Sequence, residues 1–541
     1  MQSITQVPAP VNEPVHTYAP GSPERARLVA ELEAQAGNTI DLTQTIGGVQ
    51  GMAEGTRFDV VQPHSHKSVL GVAGTATRAE AAAAAQAATE AAPGWAAMSY
   101  DDRAAIFLKA ADLLAGPWRE RIAAATMLGQ SKTAVQAEID APCELVDFWR
   151  FNVAFGRQLL EEQPISSDGV WNRMDHRPLE GFVYAITPFN FTAIAGNLPT
   201  APALMGNTVV WKPSPTQTLS AWWTMRLLEA AGLPPGVINM LTGDGRDASE
   251  VLLADPRLAG IHFTGSTATF QHLWQTVGNN IGRYHAYPRL VGETGGKDFV
   301  IAHPSADPAA LITALVRGAF EYQGQKCSAA SRAFIPRSVW TVIKDDLLAT
   351  VESLTYGDVA DLSNFGGAVI DAKSFAKLSA AIDRAHATPG LRVLTGGTYD
   401  DSVGWFVRPT VIEGDDPSDP AFRDEYFGPI LAVHVYDDAD WSDVLRTADQ
   451  GSPYGLTGAV FATDRAAIEE ATRVLRFAAG NFYINDRPTG AVVGQQPFGG
   501  GRASGTNDKA GSILNLLRWT SPRSIKETFV PPTDHRYPHM D

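Results

Sequence analysis

The segment "GQKCSAASR" at residues 324–332 carries Cys327, one of only two cysteines in a chain of 541 residues. A structural thiol packs as a small hydrophobe among bulky apolar side chains, whereas Gly324, Ser328, Ala329 and Ala330 surround this one with little bulk. That setting leaves a sulfur open to an incoming electrophile, and Lys326 together with a following helix N-terminus is expected to favour the thiolate. Earlier in the chain, "VGETGGKDF" at 291–299 sets Glu293 beside a glycine pair, in a loop expected to precede a strand. A carboxylate there is either merely solvated or a general base that activates water. In "ITPFNF" at 186–191, Asn190 stands where a helix should begin. Its amide either caps that helix or donates to an oxyanion, a contribution of about 3 to 4 kcal/mol. None of the twelve histidines is proposed by the sequence as a base for the thiol, which disfavours a cysteine hydrolase or acyltransferase.

The elements that must hold these groups follow from periodicity. Residues 182–211 carry no charge and are long enough to span a bilayer. Three prolines and three asparagines interrupt them, and each would strand polar groups in lipid, so no membrane span is expected. A strand, a Pro/Asn turn, a buried helix of small residues and a second strand account for the pattern as a βαβ unit. Residues 235–245 and 258–277 continue the alternation, and a second series runs from 299–304 through 333–351 to 428–436. Two α/β domains with doubly wound parallel sheets are therefore expected. The Ala-rich run at 78–92 is built of strong helix formers and reads as a helix. Residues 166–181, with a turn signal at Asp168-Gly169, read as a projecting hairpin, and 513–530 as a free terminal strand. Both are surfaces that a second subunit could cover, so a homodimer or higher homo-oligomer is expected.

Composition limits the function classes. A net charge of −16 and a pI near 5.2 argue against the clustered cationic surface that nucleic acid or an anionic membrane needs, which makes small-molecule chemistry the leading class. Two free cysteines fit a reducing compartment. The first 25 residues carry Glu13 and no basic residue before Arg25, which does not match a transit or signal peptide. A cytoplasmic, bacterial protein with an extended N-terminal arm is expected. No metal site is expected.

Five segments in order, "QAEIDAPCELVDFWRFN" (136–152), "TPFNFTAIAGNLPTAPALMGNTVVWKPS" (187–214), "GQKCSAASR", "EYFGPILAV" (425–433) and "TGAVVGQQPFGGGRASGTNDKAG" (489–511), resemble the aldehyde dehydrogenase superfamily. Within it they are most similar to the branch that oxidises L-glutamate γ-semialdehyde in proline breakdown. The resemblance implies a Cys327 nucleophile, a Glu293 base and an Asn190 oxyanion donor. It implies NAD as cofactor, held by Thr187, Pro188, Phe189, Lys212, Ser214, Gly265, Ser266, Glu425 and Phe427, although no G-x-G-x-x-G fingerprint is present. At Ser266 the alternative is an ordinary helix N-cap. Pro215 stands where many NAD-specific relatives carry a glutamate, leaving NADP open as a weaker cofactor. The resemblance further implies substrate contacts from Gly490, Ala491 and Ser328 to an α-carboxylate, from Phe191 and Phe498 to the aliphatic stem, and from Glu138 to the α-ammonium.

The implied organisation is an arm at 1–40, a cofactor domain at 41–160 and 182–295, a β oligomerisation element at 161–181 and 512–541, and a catalytic domain at 296–511. Relatives fused to a proline dehydrogenase are far longer, so a stand-alone enzyme that touches a separate proline dehydrogenase only transiently is expected. A broad-specificity aldehyde dehydrogenase would lack the "TGAVVGQQPFGG" segment at 489–500. A catalytically silent scaffold would have lost Cys327 or Glu293, and both are retained.

Overall fold

The computed structural model describes residues 5–540. Its frame is two seven-stranded sheets. In the first, strands Arg289–Glu293, Leu258–Thr264, Phe182–Thr187, Thr208–Pro213 and Ile238–Met240 run parallel in that spatial order, and Gln44–Ile46 and Val49–Gly51 close the edge antiparallel. Val183, Tyr184, Val209, Val210 and Trp211 are fully buried, as strands covered on both faces require. The chain winds one way from Phe182–Thr187 through the next two strands, then returns to the other side of that strand with Leu258–Thr264. The reversal opens a crevice at the carboxyl ends of these two strands, where Pro188 to Asn190 and Gly265-Ser266 lie.

The second sheet orders Leu391–Thr395, Thr410–Gly414, Ile430–Tyr436, Ala330–Pro336, Asp298–Ala302, Thr457–Phe461 and Asn481–Ile484, with only the first antiparallel. The expected pair of doubly wound sheets is thus present. The expected buried helix is Thr192–Leu204, which keeps Pro199 and Pro202 inside it and is buried along almost its whole length. Arg78–Ala97 is the Ala-rich helix, closed at its start by a reciprocal capping box between Thr77 and Glu80. No helix among the described residues is long and apolar enough to cross a membrane.

Three expectations fail. Residues 166–181 form no hairpin: Val170–Arg177 pairs antiparallel with Ser521–Thr528, from Val170 opposite Thr528 to Arg177 opposite Ser521. The terminal strand is accordingly not free. A partner some 350 residues away supplies the ladder that local turn chemistry suggested would be made at Asp168-Gly169. The arm is not extended throughout, because Ser22 caps a helix at Pro23–Ala36 by accepting from the Arg25 N–H. Residues 1–4 of the proposed arm and residue 541 of the proposed β element lie outside the described residues.

Candidate active site

Cys327 lies between the two sheets on a loop held from three sides. Tyr322, Gln323 and Gly324 precede it with φ of 50°, 54° and 63°, a left-handed run costly for the first two. A Cβ on Gly324 would stand 2.3 Å from the Gly428 carbonyl oxygen, so only glycine fits there. Gln323 Nε2 donates to the Ser131 and Ala368 carbonyls at 3.0 and 2.7 Å, and Gln325 Oε1 accepts from the Ile370 N–H at 2.9 Å. Asn190 Nδ2 donates to the Gln325 carbonyl at 3.1 Å. Asn190 is therefore no N-cap: the helix starts at Thr192 after Phe191, without a side-chain cap. Its amide braces the segment that presents the thiol and uses one of its two N–H groups in doing so.

The thiol is 9% exposed and opens on a cavity of about 320 Å³, whose lining also includes Glu293, Phe191, Ser328, Gly490, Ala491 and Phe498. Its environment is the reverse of the expected one. Burial, then the negative charges of Asp298, Glu293 and Glu425, push its pKa well above the usual thiol range. Lys326 pairs with Glu321 at 3.5 Å, and a strand rather than a helix follows Cys327, so neither expected source of thiolate stabilisation operates.

Glu293 ends the strand Arg289–Glu293, and residues 294–297 carry the chain across to the second sheet. Burial raises its pKa well above 4.5, against the attraction of Lys509, and its Oε2 has no hydrogen-bond partner. The glycine pair beside it serves close approach: a Cβ on Gly295 would stand 2.2 Å from Glu425 Oε2, and one on Gly296 2.3 Å from the Cys327 carbonyl oxygen. Glu425 Oε1 accepts from the Gly296 N–H at 2.8 Å, and burial raises its pKa too.

The remaining expected cofactor residues gather at the crevice of the first sheet. Thr187 Oγ1 accepts from Trp211 Nε1 at 3.0 Å, its carbonyl accepts from the Ser214 N–H at 3.1 Å, and Ser214 Oγ lies 3.1 Å from Thr216 Oγ1. Buried Lys212 donates to the Gly243 carbonyl at 2.9 Å, and burial lowers its pKa to about 8. Gly265 donates its N–H to the Glu293 carbonyl at 3.2 Å. Ser266 is the N-cap of Thr267–Asn279, accepting from the Thr269 N–H at 3.2 Å, as the alternative reading had it. Pro188 leads from the strand to Phe189, whose ring stands edge-on to Phe427 with centroids 5.8 Å apart, and Phe427 has φ 60°. An ammonium, an exposed helix start, a buried carboxylate acceptor and two ring faces form a donor set that fits the phosphates, the ribose diol and the flat base of a dinucleotide.

Glu138 is not in this cavity. It is fully buried elsewhere, accepting from the His16 N–H at 2.8 Å, from the Tyr18 hydroxyl at 2.7 Å and from Arg119. Residues Ile139–Cys143, with Pro142 inside, make a wider i→i+5 turn before the helix Glu144–Glu161. That turn brings Glu144, six positions on in the same quoted segment, into the cavity wall with a pKa raised by burial and by Asp140. A cluster of acids in that segment was the only sequence signal for it. Asn12, Glu13 and Val15 also line the cavity, and no motif pointed to them.

Residues 51–525 match the model of the Aldehyde dehydrogenase family. The chain belongs to this family. It is 49% identical over 530 residues, 98% of this chain and 94% of the relative, to the mitochondrial delta-1-pyrroline-5-carboxylate dehydrogenase of Bos taurus. The NAD-bound crystal structure of delta-pyrroline-5-carboxylate dehydrogenase from Mycobacterium tuberculosis superposes with a TM-score of 0.97 at 68% identity, covering 100% of both chains. Proline utilization A of Bdellovibrio bacteriovorus is 30% identical with a TM-score of 0.91 over 98% of this chain and 54% of its own. The expected cytoplasmic bacterial location is corrected: relatives matched over nearly the full length are named as mitochondrial, although a bacterial structure is also similar.

Proposed function

We propose that this family member is an NAD-dependent L-glutamate γ-semialdehyde dehydrogenase, acting on the aldehyde in equilibrium with 1-pyrroline-5-carboxylate. The observation that carries this reading is the cavity itself. A thiol and a carboxylate face a space walled by two aromatic rings, with the Ser328, Gly490 and Ala491 hydrogen-bonding groups on one part of the lining and Glu144 on another. Such a space suits an aldehyde that ends in a carboxylate and an ammonium. The names of the similar dehydrogenases support it.

As Cys327 Sγ bonds to the aldehyde carbon, its proton passes to Glu293 and on to solvent, the carbonyl π pair moves to the oxygen, and the Cys327 backbone N–H with the second Asn190 N–H holds that oxygen. Lys212, Ser266, Glu425 and the Phe189 and Phe427 rings would hold NAD, which would accept the hydride that leaves the carbon as its C=O bond re-forms and the thioester results. Glu293, buried and hence more basic than an ordinary carboxylate, takes a proton from the water that adds to the thioester carbon, and the sulfur leaves and is reprotonated. Phe191 and Phe498 wall the stem, Ser328 and the Gly490-Ala491 loop take the α-carboxylate, and Glu144 replaces Glu138 as acceptor for the α-ammonium.

The same reading divides the chain into a cofactor domain at 41–160 and 182–295, a catalytic domain at 296–511, and a β element at 161–181 and 512–541 through which two or more copies associate. A proline dehydrogenase, met transiently, is the partner that supplies the substrate, a reading supported by the likeness to proline utilization A, of whose chain 54% is covered. The test mixes wild type and Cys327→Ala with pyrroline-5-carboxylate and NAD and follows NADH absorbance. Production by wild type alone is expected; equal rates remove the thiol from the mechanism, and turnover of propanal without pyrroline-5-carboxylate replaces this reading by a broad-specificity one.

A further inference from the structure

The arm lines part of the cavity at Asn12, Glu13 and Val15 and ties two other parts of its wall together. Asn12 Nδ2 donates to the Val493 carbonyl and to Asp147 Oδ2, both at 2.8 Å, while Asn12 Oδ1 accepts from Gln495 Nε2 at 2.9 Å. Asp147 Oδ1 also accepts from the Glu13 N–H at 2.7 Å. Val493 and Gln495 belong to the loop that carries Gly490 and Ala491, and Asp147 lies one helical turn from Glu144. Beyond this tie the arm is latched: Glu13 pairs with Arg119 at 2.5 Å and Arg150 at 2.7 Å, the Pro14 carbonyl accepts from Arg119 at 2.6 Å, and His16 and Tyr18 donate to buried Glu138.

We propose that Asn12 is a positioning and specificity-determining residue, which clamps the carboxylate-binding loop to the ammonium-binding helix and so fixes the span between the two ends of an amino-acid aldehyde. The proposal rests on the function proposed above. Glu138 then acts on the substrate only at a distance, as the anchor of the arm. A simple aldehyde has neither charged end and gains nothing from the clamp.

The test compares Asn12→Ala with wild type on pyrroline-5-carboxylate and on propanal, and measures inhibition by L-glutamate. Loss of three hydrogen bonds at the clamp should raise KM for pyrroline-5-carboxylate about tenfold and weaken L-glutamate inhibition by a similar factor, with kcat changed far less. A KM equal to wild type, or a fall in kcat/KM equal for both aldehydes, overturns the proposal. Should Asn12→Ala fail to fold, Tyr18→Phe loosens the latch instead and should raise the same KM by a smaller factor; an unchanged KM there overturns it equally. Absence of wild-type turnover of pyrroline-5-carboxylate overturns the substrate reading and this proposal together, whereas wild-type turnover with an unaffected variant overturns this proposal alone.

Discussion

Burial first, then the nearby carboxylates, push the Cys327 thiol upward, and burial, opposed by Lys509 and aided by Asp508, pushes the Glu293 carboxyl upward. The base form of Glu293 fills only as pH rises through a value above 4.5, so steady-state turnover should climb across that higher window, and Glu293→Gln should remove the climb. In single-turnover records Glu293→Ala should give a burst of NADH close to one per site and then stall, since acylation survives while deacylation slows by about 10² to 10⁴. An unchanged steady state would remove the base. The identity of these two groups was legible because each lies in a run of small residues with little reason to exist for packing. Their pKa shifts were not, because burial between segments remote in sequence comes first for both, followed by Asp298, Glu293 and Glu425 at the thiol and by Lys509 and Asp508 at the carboxylate.

At the level of elements, the left-handed pair Tyr322-Gln323 is held only by what surrounds it. Gln323→Ala would leave two buried carbonyls, those of Ser131 and Ala368, without their donor, and should cost ~2 kcal/mol of stability. The loop would then relax toward ordinary φ and carry the thiol with it, so kcat should fall further than the lost stability explains; calorimetry and initial rates measured together check this. Strands and helices of the sheets were readable from unbroken apolar runs and glycine turns. The choice of Glu138 over Glu144 shows the limit of such reading: an i→i+5 turn at Ile139–Cys143 changes which face each acid takes, and periodicity assumes the ordinary helical step. The ribbon shows another limit, because the register of Val170–Arg177 is set by Ser521–Thr528 and not by its neighbours in sequence.

For the whole molecule, the ribbon leaves Trp171 at 51% exposed, covered on one face by Arg173, with Phe529 at 61% and Val530 at 80% at its end. Apolar surface of that kind on a two-stranded edge is what a second copy would cover. Trp171→Asp should shift the mass found by light scattering toward the monomer while leaving thermal stability of the single chain nearly unchanged; an unaltered mass would place the interface elsewhere. The two sheets were legible as two alternating series, but the short crossing at 294–297 was not recognisable as the place where they meet. There Gly295 lies against Glu425 and Gly296 against the Cys327 carbonyl, with no room for a side chain on either. Hybrids assembled by grafting one half of this protein onto the other half of a relative must therefore inherit the crossing and everything it touches as one block, since a seam cut there would misalign nucleophile, base and cofactor contact in a single stroke.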